Sequence, residues 1–176
     1  MAEGPIDVRR FAVEILENAH RALNRAVDGL TDEQIFQQPS PDTNSIGWLA
    51  WHLSRWKDRF AGRVSGAPEV WVSEGWAERF GMAADATGLG DTPEQVAAFR
   101  PDRALLFGYV DAAHRSTVAY VAAMTDDDFE KPYQYASSQD PRPAWRGLTG
   151  VIMDFTQHTG QIAYLRGLIT GFGWRG

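Results

Sequence analysis

The chain has 176 residues, 44% of them hydrophobic, no cysteine and a formal net charge of −6, a length that suits one domain, 1–176, with a sizeable core. Without cysteine there are no disulfides and no thiolate nucleophile, so any metal must be held by His, carboxylate or water, and any thiol must arrive as a cosubstrate. The acidic balance, with no run of Lys and Arg, argues against a nucleic-acid partner.

The N-terminal stretch MAEGPIDVRRF has no apolar signal region and no run approaches the length of a membrane span, so the expectation is a cytoplasmic protein with no membrane partner. A first helix is predicted from near Pro5 to Asp28–Gly29, with Phe11, Ile15, Ala19, Leu23, Ala26 and Leu30 at helical spacing. Thr31-Asp-Glu-Gln34 is a capping-box signature for a short turn. QQPSPDTN is loop by composition.

A second long helix is predicted from about Ile46 to Val64, capped by Asn44 or Ser45 and stopped at Gly66. Its buried stripe is Ile46, Leu49, Leu53, Trp56 and Phe60, and His52 lies on the edge of that stripe between Trp48 and Trp56. From Gly66 to Pro93 the periodicity breaks down. A long irregular excursion is uncommon in a compact domain. Its core, Ser73 to Phe80, reads as a short helix, and Trp71, Trp76 and Phe80 either plug the end of the core, the favoured reading, or fold over it as a lid.

Thr92-Pro-Glu-Gln95 opens another short helix, and Arg100-Pro101 breaks it. The third long helix covers about Asp102 to Met124, followed by a turn at Thr125–Asp128 and a Pro- and Tyr-rich loop from Lys131 to Trp145. The fourth, read over Gly147–Leu168 and ended by Gly171-Phe-Gly173, carries Val151, Phe155, His158, Ile162, Leu165 and Ile169 on one stripe. No strand alternation is found. The expected fold is all-α, a four-helix bundle with a long excursion between its second and third long helices.

Two polar residues interrupt the last stripe. Asp154 and His158 are four apart, so they project from one face. Brought against the second helix, they would meet His52, and two imidazoles with one carboxylate are a common donor set for a divalent cation. Zinc is the first expectation, and Ni, Fe or Mn also fit. The plainer alternative is a locally paired Asp154 and ordinary core histidines. Gln161, three after His158, and Trp48 and Trp56, flanking His52, are candidates for supporting the site or walling a substrate pocket. His20 and His114 read as ordinary partly buried histidines. Arg55 and Arg59 read as a solvated face or, less plainly, as receivers of an anionic cosubstrate.

Three stretches together resemble the DinB-like superfamily of four-helix metal-binding proteins: NSIGWLAWHLSRWKDRF, EVWVSEGWAERFG with TPEQVAAFR, and DFTQHTGQIAYLRGLITG. The resemblance extends to relatives of the N-terminal domain of mycothiol-dependent maleylpyruvate isomerase. It implies one ligand histidine at His52 and a carboxylate-x3-His pair at Asp154 and His158, where many relatives carry His or Glu in place of Asp154. It also implies a divalent metal and a low-molecular-weight thiol, of the mycothiol or bacillithiol type, transferred to a small electrophilic substrate. The alternatives are a hydrolase on the same site, or a stress-related protein that binds metal or a small ligand without turnover. The isomerase relative has a further C-terminal domain, and a homodimer is the expected substitute for groups that such a domain supplies.

Overall fold

A computed structural model describes residues 7–134, 140–171 and 173–174. Helix α1 (Val8–Val27) starts at Asp7, whose side chain accepts from the Arg10 amide at 2.9 Å. That cap satisfies one of the amides left open at a helix start. The start expected near Pro5 falls outside the described residues. Helix α2 (Asp32–Phe36) carries the reciprocal Thr31–Gln34 capping box. Helix α3 (Ile46–Ser65) is capped by Ser45 and ends at Gly66, whose φ of 76° is a left-handed conformation suited to glycine.

The excursion contains helix α4 (Val70–Ser73), helix α5 (Trp76–Phe80) and helix α6 (Pro93–Ala98). The single helix expected over Ser73–Phe80 is thus split, because Gly75 takes φ 70° between the two pieces. Helix α7 (Arg103–Ala123), helix α8 (Asp126–Glu130) and helix α9 (Ala144–Thr170) follow. Two-residue strands β1 (Pro132–Tyr133) and β2 (Arg142–Pro143) pair antiparallel within the stretch read as loop, Pro132 opposite Pro143.

Helices α1 and α3 each pack on both α7 and α9. Among the described residues these are the four long helices, and they form the expected all-α bundle. Lying in the corner between α7 and α9, α1 buries Ala12, Leu16, Leu23, Ala26 and Val27. Phe11, placed on the inner stripe from spacing alone, is 62% exposed. Two neighbours centre the buried arc of α1 beside the line through Phe11.

Nearly all of α3 is buried, because the excursion covers the face that the bundle leaves open. Trp71 is fully buried, with ring centroids 6.1 Å from Trp51, 5.1 Å from Phe80 and 4.9 Å from Tyr109. Trp76 is also buried. These aromatics plug the core, as the favoured reading had it, rather than fold over it as a lid.

The same covering corrects the solvated face expected at Arg55. Its guanidinium is buried between α3 and the excursion, paired with Asp58 at 3.2 Å and Glu69 at 2.7 Å. A helix that packs on both faces hides this from a search for one apolar stripe. No described helix is long and apolar enough to cross a membrane.

Candidate metal centre

The packing of α3 on α9 brings His52 to Asp154 and His158. One donor atom from each of the three lies within 4.8 Å of the others. His158 Nε2 is 3.3 Å from Asp154 Oδ1, so the i,i+4 spacing puts both side chains on one edge of α9. The His52 and His158 rings are 5.1 Å apart and nearly perpendicular, at 81°. The α3 side of the site is buried and the α9 side is half-buried, with Asp154 and His158 on the rim.

Both imidazoles have their Nδ1 atoms engaged. His52 Nδ1 is 2.5 Å from the Thr87 carbonyl, which can only accept. Nδ1 therefore carries the proton, and the Nε2 lone pair is left for a ligand. His158 Nδ1 donates to Gln161 Oε1 at 2.7 Å in the same way. Trp48 stacks on His52 at 4.6 Å and 12°, and its Nε1 donates to Asp91 at 2.9 Å. Trp56 presents an edge at 6.2 Å. The excursion reaches this spot through Gly88, at φ 80°: a Cβ there would come within 2.6 Å of Trp48 and 3.1 Å of His52 Nδ1.

Burial pushes the His52 pKa below the ordinary histidine range, and the neighbouring His158 adds to this, against the opposing pull of the Thr87 carbonyl. The ring is held in the neutral form that ligates metals. Burial would lower His158 too, but hydrogen bonds to Asp154 and Gln161 outweigh it and raise its pKa. Asp154 Oδ2 is buried with no hydrogen-bond partner. A buried carboxylate oxygen without a donor is costly unless a cation satisfies it. Two imidazoles with their outer nitrogens tied back and one unsatisfied carboxylate oxygen fit a divalent ion. Ligand atoms about 2.0–2.2 Å from such an ion stand roughly 3–4 Å apart, so the site needs only a small contraction.

His52, Asp154, His158, Gln161, Trp48 and Trp56 therefore gather in one place. Arg55 does not face it openly: its guanidinium is enclosed, which removes it as a receiver of an anionic cosubstrate. Arg59 is partly exposed and donates to the Asp85 carbonyl at 3.0 Å. His20 and His114 form a separate buried pair, with ring centroids 3.8 Å apart. Sequence reading overlooked the Thr87 carbonyl, because backbone groups leave no trace in residue type. It also overlooked Lys57, fully buried with Nζ 3.8 Å above the Phe155 ring. Its position, four after Leu53 and three before Phe60, was the available signal.

A crystal structure described as that of the conserved protein of locus from Enterococcus faecalis superposes with a TM-score of 0.84. It covers 95% of this chain and 99% of its own at 24% identity, which speaks for the fold. No curated protein matches. The family model of the DinB superfamily matches residues 15–162, a span that contains His52, Asp154 and His158. The bundle and the sequence match agree, and the chain belongs to the DinB superfamily.

Proposed function

We propose that this protein is a divalent-metal-dependent enzyme that transfers a low-molecular-weight thiol, of the mycothiol or bacillithiol type, to small electrophiles. The observation that carries the metal part is the convergence of His52, Asp154 and His158 with the unsatisfied Asp154 oxygen. The thiol part rests on the family resemblance. His52 and His158 would ligate through Nε2 and Asp154 through its carboxylate. A divalent cation, zinc first, would there lower the pKa of a thiol or water and supply a nucleophile near neutral pH.

The chain's own groups have separate tasks. The Thr87 carbonyl and Gln161 hold the Nδ1 protons, which leaves both Nε2 atoms facing the site, that of His158 on Asp154 until a cation takes the place of its proton. Trp48 covers one face of His52 and excludes water from it. The half-buried rim at Asp154 and His158 gives a cosubstrate a way in. Three protein ligands leave a coordination position for it, the pattern of catalytic rather than structural zinc sites.

The test is to load the protein with zinc, nickel, iron(II) or manganese and incubate it with candidate thiols and an electrophile panel. Thiol-dependent turnover that disappears on chelation is the expected result. Tight metal binding with neither turnover nor saturable thiol binding would sink the enzyme reading and leave a metal- or small-ligand-binding protein.

A further inference from the structure

We propose that Arg55 is a positioning residue of the metal centre, holding the 84–87 segment so that the Thr87 carbonyl keeps His52 in its ligating tautomer. The proposal rests on the metal reading for its functional consequence. Its structural part stands on the geometry of α3 and the excursion.

His52 and Arg55 are three residues apart on α3, so both face the same stretch of the excursion. Arg55 Nε donates to the Ala86 carbonyl at 2.7 Å, and one terminal nitrogen reaches the Ala84 carbonyl at 3.4 Å. The next carbonyl in the chain, that of Thr87, accepts from His52. Consecutive turns of one helix thus hold three carbonyls of one short segment, and a shift of that segment moves all three.

The guanidinium is itself fixed. Nη1 donates to Asp58 at 3.2 Å and to the Tyr109 hydroxyl at 3.1 Å, and Nη2 donates to Glu69 at 2.7 Å. Its face lies 4.8 Å from Trp71. Asp58 in turn accepts from the Val70 and Trp71 amides at 2.8 and 2.9 Å, which anchors the start of α4. A planar fork with every nitrogen engaged sets direction as well as distance, and lysine cannot reproduce it. A mere tether for the excursion would need the ion pairs alone. The bonds to Ala84 and Ala86 place the backbone beside His52.

The experiment reads the tautomer directly. Nitrogen-15 spectra of the histidine rings are recorded on metal-free wild type, Arg55→Lys and Gly88→Ala, alongside metal affinity by chelator competition. The wild type is expected to show His52 protonated at Nδ1 alone. Arg55→Lys keeps the charge but loses the fork, so it is expected to mix the tautomers and weaken metal binding ten- to a hundredfold. Gly88→Ala pushes the same segment away from α3, since its Cβ would meet Trp48 at 2.6 Å and Trp51 at 2.9 Å, and is expected to do likewise. A mixed His52 tautomer in the wild type overturns the proposal without any variant. A folded Arg55→Lys protein with wild-type tautomer and affinity also overturns it, while leaving the metal reading intact. A wild type that binds no metal overturns the metal reading, and with it Arg55's role at a metal centre, even where the tautomer responds.

Discussion

The four histidines of this chain form two pairs, and only one pair is arranged to share a cation. His52 and His158 meet nearly at right angles, at 81°, whereas His20 and His114 stack in parallel, at 7°. An imidazole lone pair lies in the plane of its ring. Parallel rings 3.8 Å apart keep their lone pairs in separate, parallel planes that do not meet, and crossed rings can aim theirs at one point. Both pairs have carboxylates at hand: Asp111 is 3.2 Å from His20, and Glu17 is 3.4 Å from His114. The donor inventory is therefore much the same, and ring orientation separates the two.

Their second difference is charge. Lys57 reaches the His20–His114 region from α3 with a fully buried amine that has no hydrogen-bond partner. Burial lowers its pKa to about 7, against the attraction of Asp111, Glu17 and Asp58. Burial and the Lys57 charge together push His20 down to about 4 and His114 to about 2. Neutral imidazoles are the form that ligates metals, as at His52, so it is the neighbouring Lys57 cation that sets this pair apart and repels a divalent ion.

The largest expected effect sharpens the contrast between pairs. Replacing His52, Asp154 or His158 by alanine should weaken metal affinity by about a hundredfold or more, since loss of a ligand exceeds the loss of an orienting partner. His20→Ala and His114→Ala should leave the affinity unchanged. Chelator competition with elemental analysis measures both, and equal losses in the two groups would erase the distinction.

Next is Lys57→Met, which keeps the aliphatic bulk over Phe155 and removes the buried amine. It should raise the unfolding free energy at pH 7 by on the order of 1–3 kcal/mol, read from urea midpoints. A loss of stability would mean that the acidic neighbours outweigh burial.

The pH dependence follows with a definite sign. Lys57, His20 and His114 all have folded-state values below their unfolded ones. The unfolded chain therefore binds more protons, and stability rises with pH. Lys57 contributes between about pH 7 and its ordinary value of 10.5, and His20 between about 4 and 6.5. His114 contributes between about 2 and 6.5. Each group adds up to about 1.4 kcal/mol per pH unit inside its window. Lys57→Met should flatten the alkaline limb, and His114→Gln the acidic limb. Unchanged slopes in urea titrations would refute these assignments.

The smallest effect falls on Gln161. It is exposed, so Gln161→Ala should weaken metal binding only about tenfold, at the low end for an orienting partner.

Much of the fold was legible beforehand for local reasons. The capping boxes at Thr31 and Thr92 and the left-handed Gly66 are signals within a few residues. The meeting of His52 with Asp154 and His158 was legible as one of two readings of the stripe edges, and the family resemblance, more than the spacing, favoured it over ordinary core histidines. The errors came where more than one neighbour acts. Phe11 lies on an apolar line, yet the corner between α7 and α9 centres elsewhere. Arg55 resembles a surface residue until the excursion closes over it.

From residue type and spacing alone came the long helices, their caps, and three donors able to reach one another. Packing decided which histidine pair has crossed rings, which cations are enclosed, and that the Thr87 carbonyl holds the outer nitrogen of His52. The physical reason is that periodicity records which side of a helix is apolar. Ring orientation, tautomer and desolvation depend on atoms supplied by segments distant in the chain.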